Sequence, residues 1–153
     1  MLHKIFFIAI PSSLFSVVTT SLNVMIQITC LDVLTISSSP PPFILRPDFA
    51  GDPLCRAYDV STTYAVTTNG KGRTIYACLQ KALPPEVMLA VHLSPPCGAS
   101  TQGFVPLNTV NNRLVTGISE TTEASLAIAY LMTAPAGMNP HFETNCITYT
   151  IGP

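Results

Sequence analysis

The chain has 153 residues and a formal charge of −1 from seven basic and eight acidic side chains; 48% of its residues are hydrophobic and only 10% are charged. Soluble domains usually carry about 25% charged residues, which argues against an ordinary cytosolic enzyme, and disorder would need lower hydrophobicity with a higher net charge. The few lysines and arginines also exclude the basic surface that nucleic-acid binding requires.

The amino-terminal residues have the plan of a secretory signal peptide. A short basic head, residues 1–4, precedes an apolar run over residues 5–18 that Pro11 interrupts. This run is shorter than the nearly 20 apolar residues of a membrane-spanning helix. We predict a signal peptide at residues 1–20, cleaved near Thr20, and a single domain over residues 21–153. An uncleaved membrane anchor or a buried strand is the alternative for the first segment.

Export would place the domain in a secreted, periplasmic or cell-surface location, where disulfides can form. The predicted domain has five cysteines, an odd number, and no pair has the C-x-x-C spacing of a zinc or redox site: Cys30, Cys55, Cys78, Cys97 and Cys146. We favour the interpretation that the cysteines are unpaired. A disulfide within the chain, or one to another chain, is the alternative. No metal or other cofactor is expected.

Alternating apolar and polar residues predict short strands along most of the chain. The predicted strands cover residues 22–30, 33–36, 60–67, 73–79, 86–93, 113–118, 124–132 and 144–151. A helix over residues 124–132 is the alternative there, and residues 94–103 are predicted to form a loop. The run Pro40–Pro42 is interpreted as a stiff connector, with a polyproline docking segment as the alternative.

The clearest local pattern predicts a hairpin around Asn69 and Gly70. Before it, Val60, Tyr64 and Val66 share one face of a strand. Asn-Gly tolerates the backbone that tight hairpin turns require, and the returning strand places three apolar side chains on one face: Ile75, Ala77 and Leu79. The whole pattern predicts an all-β fold, an immunoglobulin-like antiparallel β-sandwich of about seven to eight strands.

Four segments carry a resemblance to a known type of protein: residues 64–70, 83–91, 114–119 and 147–151. In this order they resemble short bacterial exported proteins of the spore coat protein U and pilin-like kind. The resemblance implies an immunoglobulin-type fold without a catalytic site, in a surface or appendage component.

No local motif of catalysis appears in the sequence. The sequence has three histidines: His3, His92 and His141. It lacks the G-x-S-x-G motif that surrounds a nucleophilic serine. His92 is predicted to be a surface residue of a strand. Asp48 and Asp52 supply part of a calcium loop but lack its remaining ligands, and the other acids considered are also expected to be solvated carboxylates: Asp59, Glu120, Glu123 and Glu143. No catalytic, cofactor-binding or metal-binding residue is therefore assigned.

These observations predict an exported, non-enzymatic structural or adhesive protein of the cell envelope or surface. Its exposed strand edges are expected to contact further copies of the chain or other envelope proteins. No nucleic acid is expected as a partner, and the membrane only through an uncleaved signal segment. The alternative is a secreted small-ligand or carbohydrate-binding module that uses residues 94–103 and 135–141. The absence of tryptophan weakens the carbohydrate version.

Overall fold

A computed structural model describes residues 25–139 and 141–153. This part of the chain is all-β and contains no helix, and hence no helix that could span a membrane. Its ten strands are β1 (Asp32–Ile36), β2 (Arg46–Pro47), β3 (Leu54–Thr68), β4 (Arg73–Leu79), β5 (Met88–Leu93), β6 (Ser100–Thr101), β7 (Val105–Pro106), β8 (Asn112–Ile118), β9 (Thr121–Pro135) and β10 (Ile147–Gly152). The predicted signal peptide lies outside the described residues.

The strands form two antiparallel sheets. The first has the order β1-β3-β9-β5-β7, with β2 also paired to β3, and the second has the order β10-β4-β8-β6. The 15-residue strands β3 and β9 pair along nearly their whole length and are the centre of the first sheet. In the described residues, β1 and β10 are therefore strands with one partner each.

One hydrophobic core joins the two sheets, because buried side chains of both sheets belong to the same cluster. Its fully buried members come mainly from β3, β4, β5, β8 and β9: Tyr64, Val66, Ile75, Val91, Leu93, Leu114, Val115, Ile118, Ile128 and Tyr130. Each apolar side chain of this size gains about 1.5–3 kcal/mol from burial, which makes the alternating faces the main source of stability.

A bulge in β3 corrects the prediction for Val60. The pairing with β9 passes from Asp59 opposite Tyr130 to Thr62 opposite Ile128, so two residues of β3 face one residue of β9. An extra residue reverses the alternation of side chains. Val60 is consequently 50% exposed, whereas Thr62 is fully buried in the face that Val60 was expected to share.

The predicted hairpin around Asn69 and Gly70 is wrong, although both of its strands exist. β3 lies in the first sheet and β4 in the second, so this connection crosses between the sheets. The Asn69 side chain is used for a different contact: its Oδ1 accepts from the Leu31 N–H at 2.7 Å, and its Nδ2 donates to the Thr29 carbonyl at 2.8 Å. These two hydrogen bonds hold residues 29–31, which lead into β1, against Asn69.

A polar cluster stabilises the same crossing. Asp32 of β1 accepts from the Thr68 hydroxyl at 2.6 Å and from Arg73 Nε at 3.2 Å, while Thr68 accepts from the Gly70 N–H. A side chain at Gly70 would meet the Arg73 guanidinium, so any larger residue there would have to displace that group.

The structure confirms several of the other predicted strands and corrects the positions of the rest. Residues 33–36, 73–79 and 113–118 lie in strands as predicted, and residues 124–132 lie in β9, which makes the helical alternative wrong. Residues 25–30 form no strand, so the first predicted strand is wrong where it is described; its residues 22–24 lie outside the described part. Residues 86–87 precede β5 and residues 144–146 precede β10, so both predicted strands begin too early. The predicted loop over residues 94–103 contains the short strand β6. The ten strands, three of them two residues long, exceed the expected seven to eight.

Candidate ligand cleft

A cleft of about 840 Å³ opens between the two sheets at one end of the core. We call it the inter-sheet cleft. One wall is the inner face of β5 and β9, with Leu89, Tyr130 and Met132, and the other is β10, with Ile147 and Tyr149. Connecting segments complete it through these residues: Ile36, Ser38, Ser39, Pro40, Pro41, Pro42, Phe43, Leu45, Leu83, Val87, Met138, His141, Phe142, Glu143, Thr144, Asn145 and Cys146.

The proline connector predicted from the sequence forms the rim of this cleft. Pro40–Pro42 follow β1, and Phe43 then packs against Tyr130 with ring centroids 5.9 Å apart. Because each proline ring fixes φ, this side of the cleft has few alternative conformations. The connector is therefore a preformed wall of the cleft.

Two tyrosine hydroxyls supply the polar centre of the cleft. The Tyr149 hydroxyl donates to the Tyr130 hydroxyl at 3.0 Å. Burial raises the pKa of both phenols above the ordinary value of 10.0, and for Tyr149 the neighbouring Tyr130 raises it further. Both groups are neutral at physiological pH and can donate or accept hydrogen bonds.

The cleft has a pair of ionisable groups near its mouth. His141 Nε2 lies 4.0 Å from Glu143 Oε2, and His141 Nδ1 lies 3.0 Å from the Asn139 carbonyl. His141 belongs to the segment 135–141 that the sequence suggested for ligand binding, and Met138 of the same segment also lines the cleft. The other suggested segment, residues 94–103, does not line it.

The partial calcium loop is occupied by an arginine. Arg56 Nη1 donates to Asp48 Oδ2 and to Asp52 Oδ2, each at 2.6 Å. Asp52 is only 6% exposed, so its prediction as a solvated carboxylate is wrong. Hydrogen bonds from the Leu54 N–H and from Arg56 lower the pKa of Asp52 below 3.8. Asp48 and Asp52 therefore form ion pairs with Arg56 and do not make up a calcium-binding loop.

His92 belongs to an aromatic patch that the sequence did not indicate. On the outer face of the first sheet its ring centroid lies 5.5 Å from that of Phe104, and Tyr58 lies 6.4 Å from Phe104. Tyr58 and Phe104 are 62% and 45% exposed. These residues are far apart in sequence, so only the strand pairing reveals the patch.

All five cysteines are described, and all five thiols are free. Cys30 Sγ accepts a hydrogen bond from Arg73 Nη2 at 2.8 Å, next to the polar cluster of the crossing. Cys78 of β4 is opposite Thr148 of β10, whereas Cys146 precedes β10 and lines the inter-sheet cleft. Among the residues described, no group of three or more potential ligands could hold a metal ion.

Comparison of the chain with models of protein families, with curated proteins and with solved structures gives no match. The cleft, the sheet edges and the aromatic patch are therefore the features of the molecule that bear on its function.

Proposed function

We propose that this protein is an exported, non-enzymatic structural or adhesive component of the cell envelope or surface. We further propose that its two sheets are an immunoglobulin-like sandwich, the arrangement that the resemblance to spore coat protein U and pilin-like proteins implies. The signal-like start and the low content of charged residues support export.

An exposed apolar segment next to an edge strand supports the role in assembly. Met25, Ile26 and Ile28 are 94%, 81% and 85% exposed and lie a few residues before β1, whose one partner within the described part of the chain is β3. A strand edge offers unpaired N–H and C=O groups to another chain. Large apolar side chains beside such an edge add a hydrophobic contribution to the contact. This combination is the observation that carries the proposal.

The test is the self-association of the processed chain. Light scattering after size exclusion should show oligomers that increase with protein concentration. The double substitution Ile26→Lys and Ile28→Lys should shift the chain to monomers, because the charges oppose burial of this segment. Val110→Lys is the matched control, since Val110 is 64% exposed but lies far along the chain in a loop before β8. A wild-type chain that stays monomeric at high concentration and binds no envelope component would remove the assembly role.

A second candidate function is carbohydrate binding at the aromatic patch. Exposed aromatic rings give sugars a surface for stacking, and Tyr58 and Phe104 form such a surface beside His92. Binding on a glycan array should be lost in Tyr58→Ala and retained in Tyr76→Ala, whose tyrosine lies in the second sheet. Equal binding by both variants would contradict this function.

A further inference from the structure

We infer that the inter-sheet cleft is a binding site for a neutral, mainly apolar small molecule that carries one hydrogen-bonding group. This site is separate from the exposed segment before β1 and does not depend on the proposed assembly. Three features of the cleft support this inference: its size, the charge of its lining and the tyrosine pair between its two walls.

The size and the walls of the cleft suit a small molecule. Ligand sites are typically about 300–1,000 Å³ and mainly apolar, and this cleft has about 840 Å³. Leu89, Met132 and Ile147 line its interior on both sheets. Met132 and Ile147 are only partly buried in the free protein, so a ligand can cover apolar surface that water now contacts.

The charge of the lining selects against anions. Among the described residues that line the cleft, none is lysine or arginine. His141, which lines the cleft, already faces the Glu143 carboxylate at 4.0 Å. A carboxylate or phosphate that entered the apolar interior would lose hydration without gaining a cationic partner, which is costly. A neutral molecule avoids this cost.

The tyrosine pair defines where the polar group of the ligand would bind. Tyr149 donates to Tyr130, so the lone pairs of the Tyr149 oxygen can accept a hydrogen bond from a ligand hydroxyl. Loss of one such neutral hydrogen bond weakens binding by about 3- to 10-fold. The rest of the affinity would come from apolar contact with the walls.

The first experiment measures binding of the neutral fluorescent probe N-phenyl-1-naphthylamine to the full processed chain. Probe fluorescence should rise and saturate at one site per chain. 1-Decanol should displace the probe at lower concentration than decanoate at pH 8, because the two competitors have the same chain length and differ in charge. Equal displacement by the two would overturn the inferred ligand class.

Substitutions inside and outside the cleft test where the probe binds. Val87→Trp should fill part of the cleft from the half-buried loop before β5 and weaken probe binding at least 10-fold, whereas Val110→Trp adds the same side chain at an exposed position away from the lining. Tyr149→Phe should weaken displacement by 1-decanol about 3- to 10-fold, because the alcohol loses one neutral hydrogen bond. Circular dichroism establishes that each variant is folded. Probe binding that is unchanged in folded Val87→Trp would overturn the site.

One competitor separates the cleft from the proposed assembly. A synthetic peptide with the sequence of residues 22–31 should not displace the probe if the site takes small neutral molecules. Displacement by this peptide would overturn the inference and make the cleft a groove for the apolar segment of another copy. Failure of the oligomerisation test with the probe still bound would remove the assembly proposal alone.

Discussion

Arg73 and Asp32 form an ion pair, with Nη2 and Oδ2 3.2 Å apart, at the point where the chain leaves the first sheet for the second. Both side chains are largely covered, with 18% and 23% of their surface exposed. Asp32 belongs to β1 and Arg73 to β4, so the contact joins an edge strand of one sheet to the neighbouring sheet.

Arg73→Met should lower the urea midpoint of unfolding, because Asp32 would keep its negative charge in a covered position without its cationic partner. Lys71→Met is the control: Lys71 Nζ lies 3.5 Å from Glu120, but this pair is exposed. Surface pairs of this kind contribute little, so we expect a change within about 0.5 kcal/mol for Lys71→Met. Equal shifts of the midpoint in both variants would show that the Asp32 contact has no special role.

Asp52 gives the fold an acid-sensitive element. Its pKa is lowered from 3.8 in the folded chain, mainly by the Leu54 N–H and by Arg56, so the ionised form favours folding. This contribution is fully present above the ordinary pKa and disappears as the pH falls through the lowered folded value.

Asp52→Asn should therefore reduce stability at pH 7 and flatten the loss of stability below pH 4. Urea unfolding at intervals between pH 2 and pH 7 measures the difference. Glu86→Gln, which alters an exposed acid in the loop before β5, provides the comparison. A parallel pH profile for Asp52→Asn and the wild-type chain would contradict the assignment.

Thr62 has a buried hydroxyl that lies beside the Tyr130 phenol without forming a hydrogen bond of good geometry. Thr62→Val replaces this oxygen by a methyl group of similar shape, which should stabilise the fold by about 1 kcal/mol. Thr62→Ser keeps the hydroxyl and removes a methyl group, so it should destabilise by about 1 kcal/mol. Chemical denaturation of the three chains measures both changes, and a destabilised Thr62→Val variant would show that the hydroxyl has a partner after all.

Tyr64 fixes the end of β5 to the core, because its hydroxyl donates to the Ser94 carbonyl at 2.5 Å. Tyr64→Phe should cost about 1–2 kcal/mol, since that carbonyl loses its partner in a partly buried place. Tyr76→Phe removes a more exposed hydrogen bond to the Pro153 carbonyl and should cost less. Thermal unfolding compares the two, and equal losses would contradict the argument.

Tyr64 should also make the stability of the fold sensitive to alkaline pH. Burial, assisted by the Glu123 charge, raises the pKa of Tyr64 above 10.0, so the neutral phenol favours the folded state. Its contribution is complete below pH 10 and is lost as the pH rises further and the unfolded chain ionises first. The wild-type chain should lose stability above pH 10 more steeply than Tyr64→Phe, as measured by urea unfolding between pH 8 and pH 11.

Local alternation was sufficient to predict most strands but not their partners. The faces of β4 and β5 followed the expected pattern, with Ile75, Leu89 and Val91 buried. The connection at Asn69 had the composition of a hairpin turn, yet the contacts of Asn69 with residues 29–31 and of Arg73 with Asp32 favour a crossing between sheets. These contacts join residues about 40 positions apart, which no local pattern can reveal.

The candidate sites were harder to predict for the same reason. The proline connector and His141 were visible in the sequence, but the tyrosine pair joins β9 to β10, and the aromatic patch joins β3, β5 and the loop before β7. The bulge after Asp59 also changed the face of Val60, because one extra residue reverses all alternation that follows. Sequence periodicity predicts faces only where the register is regular.

The pairing of β3 with β9 has a consequence for the order of events in folding. The central ladder of the first sheet cannot close until residues 121–135 are available to residues 54–68, and pairing of strands so distant in sequence is slow. A chain that emerges from its amino terminus therefore lacks the partner of its longest strand until most of it has been made. Such late closure delays folding until most of the chain has been synthesised, which would suit the export that we propose.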